Sequence, residues 1–285
     1  MKNKRSIWHT KYFILLLASL VITYLTFCLC VEWILPTDLS KTDLMAKLEL
    51  PTFLDPESPY ILGTDQLGRD VFRRLLYATK TTIEISLTGM LGASIIGILI
   101  GTISGYLGGW VDNVIQFVTE TFLSVPTTFV GIVIATILGA TPTTIIIAMI
   151  STGWASFCRI FRGQVLQIKQ GKFIETSRVL GASHLRIIFE HVLPNAASII
   201  IVHCTAAFSG FILSESSLSF LGIGIQPPKT SLGIMIADGR DYLMTHWWLA
   251  IAPSVIMIFL ILSMSLIGDW LRDYLDPKLR ASMRK

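Results

Sequence analysis

Apolar residues in this chain gather into long runs instead of recurring with the period of a soluble core. Six runs are long enough for a helix to cross a hydrocarbon layer of about 30 Å, which takes roughly 20 apolar residues. They cover residues 12–35, 83–107, 114–138, 143–161, 196–221 and 247–271. Their interiors carry few charges, chiefly Glu120 and Glu215. They also hold prolines and glycines, which membrane helices accommodate better than soluble ones. The pattern predicts an all-α integral membrane protein with six transmembrane helices.

Composition agrees. Of 285 residues, 52% are hydrophobic and 15% charged, where a soluble domain carries about 25% charged residues; the mean hydropathy is +0.65. Lys2, Lys4, Arg5 and Lys11 precede or open the first run, as in a signal peptide. The run is too long for such a peptide and ends without a small-x-small cleavage site, so it reads as a retained helix.

Six crossings put both termini on one side, and the basic residues say which. The N-terminus carries 4 Lys and Arg, the segment 159–186 carries 6 and the tail from Arg272 carries 5, so 15 of 23 fall on one face. The positive-inside rule makes that face cytoplasmic, N-in and C-in. Arg69, Arg73, Arg74 and Lys80 run against the rule. They alternate with Val71, Phe72, Leu75 and Leu76 at helical spacing, which predicts an interfacial helix outside the membrane.

No extramembrane stretch is long enough for a core of its own. The chain therefore divides into 1–82 (tail, first helix, outer loop and interfacial helix), a five-helix core at 83–275 with a cytoplasmic loop at 163–194, and a tail at 276–285. Pro51, Pro56 and Pro59 suggest an extended outer loop, and Gly63–Asp70 suggests turns. Cys28, Cys30, Cys158 and Cys204 lie in or beside the apolar runs without disulfide or metal-ligand spacing.

Several positions inside the membrane stand out. Gly89, Ala93, Gly97, Gly101, Gly105 and Gly109 follow one another at intervals of four, a small-residue face that lets another backbone approach. Gly97, Gly101 and Gly105 are its centre. Pro126 frees a carbonyl and allows a kink. A charge near mid-membrane costs on the order of 3 kcal/mol, so Glu120 should face protein or a water-filled path, and Glu215, near the outer end of the fifth run, is the other candidate. Each either lines that path or pairs with a serine or backbone group.

Between the fourth and fifth runs, residues 171–183 read as a short helix ending at Gly181, where the left-handed position after a helix favours glycine. Ser183 can cap a second helix whose apolar face would be Leu185, Ile188, Phe189 and Val192, with Pro194 opening the membrane helix that follows. This is a compact hairpin suited to docking.

Glu175-Thr176-Ser177-x-x-x-Gly181 followed by Leu193-Pro194 resembles the EAA loop of ABC importer permeases, E-A-A-x-x-x-G then I/L-x-L-P. Thr176 and Ser177 depart from its two alanines but remain small. The runs Gly63–Asp70, Gly105–Asp112, Arg162–Val165 and Leu218–Gly222 are similar to the second, or C, subunit of the dipeptide/oligopeptide/nickel permease family, over roughly residues 60–280. The resemblance implies a type I ABC importer fold in a bacterial cytoplasmic (inner) membrane. Its partners would be a second related permease, two ATPase subunits and an extracytoplasmic binding protein; none is a nucleic acid.

By the same resemblance, Phe173, Ile174, Glu175, Thr176, Ser177, Leu180, Gly181, Ala182 and Ser183, with Leu193 and Pro194, form the coupling contact to an ATPase. No G-x-x-x-x-G-K-[ST] loop occurs, and Gly171-Lys172 is followed by phenylalanine, so ATP and magnesium are expected on the partner subunits and no catalytic or metal residues in this chain. Di- or oligopeptides are the expected cargo, with nickel or a metal–metallophore complex as the alternative. A secondary transporter or channel would show repeats and chains of intramembrane ionisable residues, which this sequence lacks. A protease reading of Ala207-Phe208-Ser209-Gly210 needs a base beside Ser209, and His203 lies on nearly the opposite helix face.

Overall fold

The computed structural model describes residues 4–36 and 41–275, with the side chains of α1 described at Leu16 and from Ala18 onward. The tail at 276–285, and with it most of the basic residues counted there, lies outside the described residues. Among the described residues eleven α-helices follow one another: α1 (Lys4–Leu29), α2 (Val31–Ile34), α3 (Val71–Leu107), α4 (Gly109–Ser124), α5 (Thr127–Leu138), α6 (Pro142–Lys169), α7 (Lys172–Val179), α8 (His184–Ile187), α9 (Leu193–Phe220), α10 (Leu232–Arg240) and α11 (Trp248–Leu275).

Among the described residues four helices are long and apolar enough to cross a membrane: α3, α6, α11, and α8 with α9 taken as one span. The expected crossing at 114–138 is broken into α4 and α5, bent by 86° at Val125-Pro126. Pro126 cannot donate the backbone hydrogen bond that would carry the helix through, and its backbone is extended. Counted as one span, this pair makes five. The described apolar part of α1 is the shorter stretch Ala18–Leu29.

α3 and α6 form the centre. The small-residue face of α3 lies directly on the α6 backbone: a Cβ added at Gly97 would sit 2.5 Å from the Trp154 carbonyl oxygen, one at Gly101 2.7 Å from that of Cys158, and one at Gly105 2.9 Å from that of Arg162. The stripe thus packs within the chain. Gly109 leaves the stripe, opening α4 with open space around it. α9 and α11 complete the main core with Phe208, Ile212, Trp248 and Leu260, against Val71, Leu75 and Phe157. α1 leans on this body through Tyr24, whose hydroxyl meets Thr79 Oγ1 at 3.0 Å.

The separate interfacial helix expected around Arg69–Lys80 does not form. Asp70 caps α3 by accepting from the amides of Phe72 and Arg73, and the helix then runs unbroken for 37 residues. At about 1.5 Å per residue that is far longer than a bilayer is thick. Its extra turns are buried in protein. Arg74 pairs with buried Asp65, and its Nη2 also reaches Asp238 Oδ2 at 3.3 Å. Asp65 further accepts from Arg69 Nε at 2.7 Å and from the amides of Leu67 and Arg69. Lys80 pairs with Glu32 at 2.7 Å. The cationic residues therefore fasten the 60–70 loop, α2 and α10 to α3 and leave the helix in the bundle.

Candidate functional site

At the end of the bundle where α3 and α6 finish, α7 and α8 form the hairpin expected from 171–183. Gly181 has φ +81°. Its amide donates to Arg178 O and that of Ala182 to Ser177 O, both at 3.0 Å. These two bonds satisfy the last carbonyls of α7 and close a Schellman turn, which requires the left-handed residue. Ser183 then caps α8, its Oγ accepting from the Arg186 amide at 3.3 Å. Thr176 and Ser177 turn their hydroxyls back onto the carbonyls of Lys172 and Phe173, so neither leaves an unpaired polar group.

The second helix differs from expectation. α8 spans one turn and passes through a π-helical turn, Ile188–Val192, into α9, so hairpin and membrane helix are continuous. The extra residue of the π turn brings positions five apart onto one side. Val192 is fully buried as expected, with Ile187 buried beside it, while Leu185 and Phe189, expected on the same inner face, are exposed. Ile188 is half-buried. Leu193 and Pro194 open α9.

One residue of α7, Ile174, is buried, in a cluster with Tyr106, Phe161, Val165, Ile168, Ile187, Val192 and Ala196. Three polar tethers add to it. The Tyr106 hydroxyl meets His184 Nδ1 at 2.9 Å, Ser177 Oγ meets His191 Nε2 at 3.0 Å, and Lys169 Nζ donates to Tyr106 O at 2.6 Å. The Arg178 guanidinium lies 5.7 Å over the Tyr106 ring. The outer surface of the hairpin is apolar: Val179 is 83% exposed, Leu180 81%, Leu185 68% and Phe189 64%, with half-open Phe173 and exposed Glu175 beside them. Exposed apolar residues of this kind mark a contact site for a protein or a membrane. Tyr106, Lys169 and His184 were not singled out by the sequence as hairpin tethers; each lies far along the chain from the residue it holds.

At membrane depth the two acids part company. Glu215 is fully buried, accepting from Ser219 Oγ at 2.6 Å and Ser216 Oγ at 3.3 Å. Glu120 lies exposed on α4. Ser209 donates to Ile261 O at 3.1 Å, a packing bond that leaves no nucleophile aimed at a base. A cavity of about 340 Å³ opens between α5, α6 and α9, its polar lining made by Thr127, Thr152, Ser156, His203 and Ser214.

Comparison with known proteins matches this arrangement. Residues 97–281 match the family described as binding-protein-dependent transport system inner membrane component. The chain is 39% identical over 228 residues to the dipeptide transport system permease protein DppC of Bacillus subtilis, covering 80% of this chain and 71% of that protein. It is 32% identical over 272 residues to the nickel transport system permease protein NikC of Escherichia coli K12, covering 95% of each. Among solved structures, an inward-facing methionine ABC transporter MetNI aligns with a TM-score of 0.59 at 17% identity, over 71% of this chain and 96% of that one. An amino acid ABC transporter aligns with a TM-score of 0.54 at 16% identity, over 72% and 95%. These two share its fold. The chain belongs to the binding-protein-dependent transport system inner membrane component family and is a permease subunit of an ABC importer, an all-helical protein of the type I fold.

Proposed function

We propose that this permease carries di- or oligopeptides across a bacterial inner membrane as half of a channel completed by a second, related permease. In this reading the chain crosses six times with both ends in the cytoplasm. It holds no nucleotide itself; ATP and magnesium sit on separate ATPase subunits, and a binding protein delivers cargo from outside. The hairpin α7–α8 is the coupling element. Phe173, Glu175, Val179 and Leu180 present its docking face, while Ile174 holds it to the bundle and the Schellman turn at Gly181 fixes its shape. The exposed apolar patch on an otherwise tethered hairpin carries this reading. ATP-driven closure of the ATPases would push the hairpin as a near-rigid body and rock the membrane helices between inward- and outward-facing states. Glu120 is proposed to face the water-filled path or the second permease, and Glu215 to serve as an internal hydroxyl-bound brace.

The peptide assignment follows dipeptide-transporting relatives such as that of Bacillus subtilis. A nickel or metallophore cargo has its own support in the Escherichia coli nickel permease, which aligns over nearly the whole of both chains. Uptake in a deletion strain separates the two. Radiolabelled alanyl-phenylalanine is expected to enter only when the chain is restored, with excess unlabelled dipeptide competing and chelated nickel not. Competition by nickel with no effect of dipeptide would reverse the assignment.

A further inference from the structure

Two stretches far apart in the chain, Gly105–Asp112 and Arg162–Val165, meet in the structure. Asp112, in the first turn of α4, takes two parallel bonds from Arg162 on α6: Nε to Oδ1 and Nη2 to Oδ2, both 2.6 Å. Ser104 Oγ donates to the same carboxylate, and Gln116 Nε2 donates to Ser104 Oγ at 3.2 Å. A bidentate, partly dehydrated guanidinium–carboxylate pair is both strong and directional. Its negative partner also sits where the α4 dipole favours it.

Beyond this pair α4 is held by side chains packed on α6, with Ile115, Phe122 and Leu123 against Trp154, Ala155 and Cys158. Thr119 is its one buried residue, 3.6 Å from Cys158 Sγ, and Phe122 stacks edgewise on Trp154 at 5.4 Å. The link from α3 to α4 is Gly108-Gly109, both at positive φ (72° and 60°), with open space around Gly109. Two such glycines make a joint that swivels at small conformational cost. Further along α6, Lys169 grips the Tyr106 carbonyl, and Tyr106 in turn holds His184 of the hairpin.

We infer that the Asp112–Arg162 pair is a coupling strut. It locks the Gly108-Gly109 joint, so that a displacement of the hairpin reaches α4, and through it the bent α4/α5 segment, and is not absorbed at the joint. Both are positioning residues that act on helix α4 and do not touch cargo. The inference rests on the hairpin being the ATPase contact.

The test uses the assembled importer in proteoliposomes with the Asp112→Asn variant, which keeps shape and removes the charge. ATPase association and ATP hydrolysis are expected to persist while dipeptide uptake falls at least tenfold. Amide exchange at residues 109–118 should quicken at least tenfold, with α7 unchanged. The charge-exchanged double variant Asp112→Arg/Arg162→Asp restores the ion pair but places the cation at the α4 N-terminus, so it should recover part of both uptake and protection. Arg162→Lys, which keeps the charge but loses the fork, should cost severalfold in uptake and covers the case in which Asp112→Asn does not fold. Uptake within twofold of wild type in Asp112→Asn or, where that variant does not fold, in Arg162→Lys would overturn the inference, as would a folded exchange variant that recovers neither property. If the wild-type chain binds no ATPase, the functional reading fails instead. The strut is then judged by exchange alone, which must rise in Asp112→Asn and fall back in part in the double variant.

Discussion

Gly181→Val is expected to leave the protein inserted and associated with its ATPase but to cut uptake at least tenfold while ATP hydrolysis continues. Gly181 sits at φ +81° with no atom within 4 Å of an added Cβ, so the effect is conformational and not steric. A left-handed backbone costs a residue with a Cβ about 1–2 kcal/mol, and a β-branched one more. The Schellman turn would open, freeing the amides of Gly181 and Ala182 and the carbonyls of Arg178 and Ser177. Val179 and Leu180 would then no longer stand rigidly on the docking face. Asparagine tolerates the left-handed region, so Gly181→Asn should retain most uptake. Measuring uptake and ATP hydrolysis on the same proteoliposomes separates coupling from folding. Normal uptake in Gly181→Val, or equal loss in the asparagine variant, would remove the rigid turn from the mechanism.

Gly97→Val is expected to remove most folded protein from the membrane. Its Cβ would stand 2.5 Å from both the Phe157 Cβ and the Trp154 carbonyl oxygen, and 2.9 Å from the Cys158 amide. Two of these are backbone atoms of α6, which cannot turn aside as a side-chain tip can. α3 and α6 would have to separate along their contact, a cost of about 3 kcal/mol or more. Gly97→Ala should show a smaller loss of the same kind. Thermal unfolding of the purified chain in detergent checks both. A wild-type midpoint for Gly97→Val would mean that the helices are not pressed together along this face.

Those two glycines were legible in the sequence because each follows from local rules. Spacing of four puts Gly97, Gly101 and Gly105 on one helix face, and a glycine followed by a capping serine marks a helix end. Features that depend on distant partners were not legible. Arg69, Arg73, Arg74 and Lys80 alternate with apolar residues as an interfacial helix would. Nothing within one turn reveals that Arg74 pairs with Asp65 and Asp238, or that Lys80 pairs with Glu32. Once those charges are matched, the helix can run from Val71 to Leu107 unbroken.

The inner face of α8 failed for a different reason. Counting by three and four from Leu185 found Val192, which is buried, but it assumes a regular helix. With the π turn at Ile188–Val192 the residue buried beside it is Ile187, five positions back, while Leu185 and Phe189 are exposed. Pro126 signalled a kink but not its 86° size. Asp112 and Arg162 stood in separate motifs whose pairing only the fold of α3 against α6 brings about. Ser216 and Ser219 beside Glu215, by contrast, were visible as hydroxyls one and four residues away, and they supply its hydrogen bonds.

The point at which the ATPase touches this chain is the most direct test of the coupling mechanism. Cysteines placed one at a time at Glu175, Val179 and Leu180, in a background without Cys28, Cys30, Cys158 and Cys204, can be cross-linked in native membranes with a short bifunctional reagent. The hairpin reading predicts an adduct with the ATPase from each position, and none from cysteine at Met244, which is exposed in the loop between α10 and α11. An ATPase adduct from Met244, with none from the hairpin, would contradict it.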